Sequence, residues 1–125
     1  MKKTIHPAKR FGNIAIPSSK SDGQRALLAA ALAKGESILH NVGDSHDEMS
    51  MLETIQTLGA TIARKKSNTL IIQGIKKFPT HAEINIGESG LGVRLITSIC
   101  AAHEGVFLVS GKGSLEKRPL TFFLE

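Results

Sequence analysis

The chain is poor in the side chains that several common functions require. Its 125 residues include one cysteine, no tyrosine, no tryptophan and five phenylalanines. A lone cysteine cannot close an internal disulfide, and a base-stacking surface for single-stranded nucleic acid needs more aromatic rings than this. No apolar run approaches the roughly 20 residues of a membrane-spanning helix. These absences disfavour a disulfide scaffold, a nucleic-acid-binding module and a membrane protein.

Metal-binding and targeting signals are also missing from the sequence. The five histidines are scattered, and none lies at a zinc-binding spacing. The N-terminus is basic but lacks the apolar stretch of a signal peptide. We therefore expect a cytoplasmic protein with no metal site. Cys100, between Ile99 and Ala101, is expected to be a buried core residue.

What the chain does have is positive charge and room for about one domain. Lysine and arginine outnumber aspartate and glutamate by 16 to 11, which gives a formal net charge of +5. An excess of this kind suits small anionic substrates as well as nucleic acid. The shortage of aromatic rings favours small anions, and a small basic RNA-binding module stays open as an alternative.

The most informative motif is a polar, basic segment between a short apolar stretch and an alanine-rich helix. Pro17-Ser18-Ser19-Lys20-Ser21 leads into this helix, and Arg25 follows one turn later. A helix start offers free N–H groups and the positive end of the helix dipole. Basic side chains there oppose the dipole unless an anion compensates them. Lys20 and Arg25 therefore predict a phosphate or carboxylate site.

A pattern of strands and helices occurs twice, with an offset of about seventy residues. The predicted first copy comprises strand 13–16, helix 21–33, strand 37–41, helix 47–58, and a hairpin of 61–64 and 69–73 around Lys66-Ser67-Asn68. The predicted second copy comprises strand 83–86, a glycine-rich turn at 87–92, helix 93–102, strand 106–109, and a helix opened by Pro119. Because the second copy stops inside that last helix, we expect the chain to be a fragment of something longer.

The second copy carries its own candidate residues. Gly87, Gly90 and Gly92 would let backbone N–H groups approach a second anion. Pro119 holds Arg118 in an extended conformation, which could direct its side chain into a cleft. An acidic group before the second helix of the first copy is expected to cap that helix: Asp44, Asp47 and Glu48.

These motifs resemble signatures of the 5-enolpyruvylshikimate-3-phosphate synthase family. The segment from Pro17 to Leu32 is similar to the phosphoshikimate signature, and Gly87 to Arg94 is similar to the phosphoenolpyruvate-side signature. The residues Asp44 to Asp47 and Lys117 to Leu120 are similar to two further blocks of the family. The resemblance therefore runs in order along nearly the whole chain.

The resemblance implies an α+β fold of the enolpyruvyl transferase type. In that fold each of two similar lobes contains three βαββαβ units, which agrees with the internal repeat. This chain would supply part of the N-terminal lobe, 13–125, with one complete unit at about 13–80 and a partial one at about 82–125. Residues 1–12 would form an N-terminal segment that belongs to the other lobe in the full enzyme.

The resemblance also implies an activity in the shikimate pathway of aromatic amino acid biosynthesis. Such enzymes transfer the enolpyruvyl group of phosphoenolpyruvate to the 5-hydroxyl of shikimate 3-phosphate, with no metal or organic cofactor. The partners would be these small anionic substrates and the missing C-terminal lobe, without nucleic acid or membrane, and the chain alone would be inactive. A UDP-N-acetylglucosamine enolpyruvyl transferase shares the fold and is the alternative enzyme.

Site residues carry over by position within the matched motifs. Lys20 would be catalytic and would contact both substrates. Ser21 and Arg25 would hold shikimate 3-phosphate, whereas Gly90 and Arg118 would hold phosphoenolpyruvate. Fixed cations bring two anions together and stabilise the charge that shifts during transfer. Further candidates from the second motif are Glu88, Ser89 and Arg94.

Four positions depart from the family pattern as the resemblance gives it. The family usually carries Gly, Asn, Thr and Arg where this chain has Ser18, Glu88, Leu91 and Ser114. A carboxylate at Glu88 would repel an anionic substrate unless a neighbouring group pairs with it.

Overall fold

The computed structural model of the chain describes residues 2–65 and 68–123. Within these ranges it contains three α-helices, α1 (Lys20–Leu32), α2 (His46–Thr57) and α3 (Gly90–Ala101). The strands described are β1 (Glu36–Leu39), β2 (Thr61–Lys65), β3 (Thr69–Gln73), β4 (His81–Asn85) and β5 (Val106–Ser110). Two 3₁₀ helices follow, Gly113–Lys117 and Thr121–Phe123. None of the helices in the described ranges is long and apolar enough to cross a bilayer.

The strands form two sheets of opposite type. The first sheet has the order β1-β3-β2 and is antiparallel throughout. Its β2–β3 connection confirms the predicted hairpin, although Lys66 and Ser67 of the predicted turn lie outside the described residues. In the second sheet β4 pairs with β5 in parallel, with His81 opposite Val106. A parallel pair needs a crossover between its strands, and α3 supplies it.

One hydrophobic core joins the two sheets and the three helices. It collects the apolar faces of every α-helix and of strands β3 and β4, together with residues from the connections between them. Cys100 of α3 belongs to this core, and burial raises the pKa of its thiol. A thiol in such surroundings is a poor nucleophile, so the predicted core role of Cys100 is confirmed.

Each α-helix begins at a serine that caps its first turn. In α1 the Asp22 N–H donates to the Ser19 hydroxyl oxygen at 3.4 Å, and in α3 the Gly92 N–H donates to that of Ser89 at 2.9 Å. In α2 Ser45 and Glu48 form a capping box, in which the side chain of each residue accepts a hydrogen bond from the backbone N–H of the other. The predicted capping role of Glu48 is confirmed.

The starts of α1 and α2 pack closely because Gly23 has no side chain. The carboxylate of Glu48 is buried and accepts hydrogen bonds from Gly43 N (3.1 Å), Ser45 N (3.3 Å) and Ser45 Oγ (2.6 Å). A Cβ atom on Gly23 would overlap this fixed carboxylate. The glycine therefore lets the first turn of α1, which carries Lys20, approach the first turn of α2.

The predicted strand 13–16 does not form. The residues from 2 to 19 have no regular secondary structure, and Ile14 and Ile16 are 85% and 78% exposed. In the second copy the corresponding strand β4 pairs with β5, whereas β1 pairs only with β3 among the described residues. An extended segment without a strand partner buries too little apolar surface to be stable.

Both helices of the second copy also differ from the prediction. Helix α3 begins at Gly90 rather than residue 93, because Ser89 caps it, so Gly90 and Gly92 lie in the helix and not in the predicted turn. Of the helix expected from Pro119, the described residues form the 3₁₀ helix Thr121–Phe123, and Leu124 and Glu125 lie outside the described residues.

We predict that Gly23→Ala destabilises the fold. In an open helix this change stabilises by about 0.5–1 kcal/mol. Here the added methyl group would displace the Glu48 carboxylate, so we expect a loss of about 1–3 kcal/mol in the free energy of unfolding. Urea denaturation followed by circular dichroism measures it. In a Glu48→Ala background the same change should cost less, and a gain in stability in the wild-type background would contradict the close packing.

Candidate anion-binding site

A polar cleft of about 240 Å³ opens where the first turns of α1 and α3 face the loop after β5. We call it the anion cleft and define it by its lining residues: Lys20, Ser21, Gln24, Asp47, Glu88, Gly90, Leu91, Arg94 and Arg118. Three of these side chains are cationic and two are anionic. The cleft thus combines two helix starts, an arrangement that favours bound anions, with an excess of positive side chains.

Lys20 is held at the anion cleft by a carboxylate from another helix. Its Nζ lies 2.9 Å from Oδ2 of Asp47, in the first turn of α2. The Lys20 side chain is 55% exposed and that of Asp47 is 18% exposed. An ion pair with one partner so exposed adds little stability. The ion pair instead orients the Lys20 side chain, because Asp47 keeps its ammonium group beside the start of α1.

Ser21 lines the anion cleft, and Arg25 is not among its lining residues. The Nη1 atom of Arg25 lies 3.5 Å from Oδ1 of Asp22, and both side chains are largely exposed. Arg25 follows Ser21 by one helical turn, so the two residues share one face of α1. The structure therefore brings Lys20 and Ser21 together, while the role of Arg25 stays a prediction.

Two guanidinium groups flank Gly90 at the start of α3. Nη1 of Arg94 donates to the Gly90 carbonyl oxygen at 2.8 Å. A Cβ atom on Gly90 would overlap Nη1 of Arg118, so the glycine lets that guanidinium approach the helix. The first turn of an α-helix also has N–H groups without intrahelical acceptors. The structure therefore brings together three residues that the sequence predicted as candidates: Gly90, Arg94 and Arg118.

The two helix starts are joined beneath the anion cleft by a buried hydrogen bond. Oγ of Ser89 donates to Oε1 of Gln24 at 2.5 Å, and the residues are 0% and 1% exposed. The Ser89 oxygen also accepts the N–H of Gly92, while Nε2 of Gln24 donates to the Lys20 carbonyl oxygen at 3.4 Å. This pair connects α1 to α3 across 65 positions of sequence.

Sequence reasoning missed Gln24 and the pairing of Asp47 with Lys20, and it took Ser89 for a possible ligand contact. Ser89 is buried, so it lies beneath the anion cleft and supports it. A signal for Gln24 was present in the sequence. It stands one turn before Leu27 and Leu28 on the apolar face of α1, and a polar residue at such a position indicates a buried hydrogen bond.

Glu88 is paired with a backbone N–H group at the rim of the anion cleft. Its Oε2 accepts from Ser114 N at 3.1 Å. This hydrogen bond, assisted by the Ser114 side chain and by the charges of Lys112 and Arg118, lowers the pKa of Glu88 from 4.5. Because folding lowers that pKa, the contact stabilises the native state above pH 4.5 and is lost as pH falls through the lowered value.

We predict that Ser89→Ala lowers the free energy of unfolding by about 1–3 kcal/mol, because Gln24 Oε1 loses its buried donor and α3 loses its cap. Thermal and urea unfolding measure the change. Ser98→Ala, which removes an exposed hydroxyl from the same helix, is the matched control and should stay within about 0.5 kcal/mol. Equal effects of the two variants would contradict a structural role for the buried bond.

Known proteins share both the sequence and the fold of this chain. The family model for EPSP synthase (3-phosphoshikimate 1-carboxyvinyltransferase) matches residues 6–125. The 3-phosphoshikimate 1-carboxyvinyltransferase of Clostridium perfringens (strain SM101 / Type A) is 38% identical over 128 residues, which cover 100% of this chain and 30% of the relative. The protein of that name from Chlamydia pneumoniae is 35% identical over 123 residues, which cover 97% and 27%.

A solved structure agrees with these sequence relatives. EPSP synthase from Acinetobacter baumannii matches 88% of this chain and 26% of its own with a TM-score of 0.76, at 24% identity. This likeness confirms the predicted α+β fold of the enolpyruvyl transferase type. The chain spans between 27% and 30% of the length of the two curated relatives named above. On the family match and these identities, the chain belongs to the EPSP synthase family.

Proposed function

We propose that this chain forms part of the N-terminal lobe of a 3-phosphoshikimate 1-carboxyvinyltransferase, with units at about 13–80 and 82–125. The enzyme would move the enolpyruvyl group of phosphoenolpyruvate to the 5-hydroxyl of shikimate 3-phosphate. A cytoplasmic location and the C-terminal lobe as a partner are parts of this proposal. The observation that carries it is the anion cleft, where both helix starts and Lys20 and Arg118 meet.

The chemistry of the substrates suits the charges of the anion cleft. Both substrates are multiply anionic, so each needs fixed positive groups to enter the same cleft as the other. Ser21, in the first turn of α1, would hold shikimate 3-phosphate, with Arg25 one turn further along. Gly90 and Arg118, at the start of α3, would hold phosphoenolpyruvate. Lys20, on the α1 side of the same cleft, would contact both.

The transfer itself needs a proton and a stabilised charge. The 5-hydroxyl gives up its proton as its oxygen bonds to C2 of phosphoenolpyruvate, the C2–C3 double bond opens and C3 gains a proton, which together give a tetrahedral adduct. Loss of phosphate and of a C3 proton then restores the double bond. Cations held before the reaction stabilise the shifting charge without reorganising. Lys20, oriented by Asp47, would stabilise that charge and assist proton movement, and its ion pair with Asp47 supports this role.

The names of the relatives help to decide which molecule accepts the enolpyruvyl group. Those reported above carry the name 3-phosphoshikimate 1-carboxyvinyltransferase, which supports shikimate 3-phosphate over UDP-N-acetylglucosamine. Membership of this family also disfavours a small basic RNA-binding module.

We predict that shikimate 3-phosphate binds the chain at the start of α1. In a ¹⁵N-labelled sample, amide shifts should concentrate at Lys20, Ser21 and Gln24, and unphosphorylated shikimate should cause far smaller shifts. Loss of one charge-assisted hydrogen bond costs about 1.5–3 kcal/mol, so Lys20→Met should weaken binding by about 10- to 150-fold. Arg25→Ala should weaken it similarly, because the proposed site includes that guanidinium.

The control for this titration is Lys34→Met, which removes an exposed charge beyond the C-terminal end of α1 and should leave affinity unchanged. Single-stranded RNA serves as the competing ligand. Tighter binding of RNA than of shikimate 3-phosphate, or equal losses in Lys20→Met and Lys34→Met, would contradict the proposed site.

We also predict that the 125-residue chain alone has no transferase activity, because the opposite lobe must close the catalytic cleft. Phosphate release from phosphoenolpyruvate and shikimate 3-phosphate should stay at the level without protein, and the full-length Clostridium perfringens relative serves as the positive control. Turnover by the chain alone would show that the opposite lobe is dispensable.

A further inference from the structure

Glu88 supplies the cap of a short helix to which it does not belong. The 3₁₀ helix Gly113–Lys117 begins after Lys112, which makes no side-chain capping bond. The Ser114 N–H, in its first turn, instead donates to Oε2 of Glu88 at 3.1 Å. The backbone of Gly113, at a φ of +59°, packs directly on this carboxyl group, because a Cβ there would lie 2.6 Å from its carbon.

The same serine contacts the cation of the anion cleft. Nη2 of Arg118 donates to Oγ of Ser114 at 3.3 Å. The backbone N–H of Ser114 is therefore bound to Glu88, while its hydroxyl, which also interacts with Glu88, accepts a hydrogen bond from Arg118. We call these two hydrogen bonds the Glu88 bridge. It runs from the turn before α3, through the loop after β5, to the guanidinium beside Gly90.

Backbone contacts fix this loop as far as Arg118, whose N–H donates to the Leu115 carbonyl oxygen at 3.1 Å, but they leave its guanidinium to other partners. The Lys112 N–H donates to the Gly87 carbonyl oxygen at 2.9 Å, and Leu115 is buried. These contacts hold the backbone near the core. The guanidinium of Arg118 extends from the far end of the 3₁₀ helix, and its hydrogen bond to Ser114 returns it toward Glu88.

Charge and geometry at Glu88 have opposite effects on an anionic ligand. The carboxylate borders a cleft that would receive a phosphate or carboxylate group, and two like unit charges 4 Å apart in water repel by about 1 kcal/mol. The Glu88 bridge favours ligand binding, because an Arg118 side chain that is already in place loses less conformational entropy when the ligand binds. Which effect dominates depends on how far Arg118 relies on the bridge.

We propose that Glu88 is a positioning residue that holds Arg118 at the anion cleft through Ser114, and that this positioning outweighs the repulsion from its charge. The proposal rests on the proposed function, since it takes the anion cleft to be a ligand site. It concerns ligands with a phosphate group, for which phosphoenolpyruvate and inorganic phosphate are the probes.

Two substitutions separate the charge from the geometry. Glu88→Gln keeps an oxygen that accepts the Ser114 N–H but removes the negative charge, so it should bind phosphoenolpyruvate at least as tightly as the wild-type chain. Glu88→Ala removes both, and we expect it to bind about 5- to 20-fold more weakly than Glu88→Gln. Ser114→Ala keeps the N–H donor and loses the hydroxyl contact with Arg118, so it should also weaken binding. Isothermal titration calorimetry measures all four proteins.

A binding order with Glu88→Ala as tight as Glu88→Gln, or tighter, would overturn the proposal, because the carboxylate would then act only by repulsion. Amide hydrogen exchange gives a second measurement that needs no ligand. The Ser114 amide should exchange about tenfold faster in Glu88→Ala than in the wild-type chain, and Glu88→Gln should largely restore protection. Unchanged exchange in Glu88→Ala would also overturn the proposal.

These measurements keep the two proposals distinguishable. If the wild-type chain binds neither phosphoenolpyruvate nor inorganic phosphate, the proposed function loses its support in this chain, and the positioning of Arg118 for a ligand by Glu88 fails with it, whatever the Ser114 amide exchange shows. If the wild-type chain binds and the variants do not follow the expected order, the positioning role of Glu88 fails while the anion cleft stands.

Discussion

The hydrogen bond between Ser89 and Gln24 is the contact on which the candidate site depends. Both side chains are buried, and they belong to the two copies of the repeat. A buried polar pair is costly when one member is removed, so the pair specifies one arrangement of the two helix starts more than it adds stability. The anion cleft lies directly above this bond, because Lys20 and Ser21 begin one helix and Gly90 begins the other.

Each cation of the anion cleft is held by a contact with a named group of the protein. Lys20 is paired with Asp47 of α2, Arg94 with the first carbonyl of its own helix, and Arg118 with the loop that Glu88 caps. Such contacts fix the side chains before any ligand arrives, which is what charge stabilisation in a transferase requires. The site is therefore built by contacts within each repeat and by the Ser89–Gln24 hydrogen bond between the two repeats, as well as by its motifs.

Local pattern predicted much of the fold and less of the site. Helical spacing and the turn at Asn68 placed the helices and the hairpin, because those signals lie within a few residues of each element. The prediction of a strand at 13–16 was wrong because a strand needs a pairing partner, and the local sequence pattern does not indicate which segment that partner would be. The bond from Gln24 to Ser89 and the pairing of Glu88 with Ser114 join distant positions, so neither could be predicted from spacing. The departures from the family pattern at Glu88 and Ser114 nevertheless lie in contact with each other.

The most direct test of the joined helix starts is a nuclear Overhauser spectrum of the isotopically labelled chain in solution. Protons of the Gln24 side chain should show cross-peaks to the β-protons of Ser89 and to the Gly92 amide, because these groups share the hydrogen bonds at Ser89 Oγ. Assigned resonances for Gln24 and Ser89 without such cross-peaks would contradict the arrangement and, with it, the anion cleft.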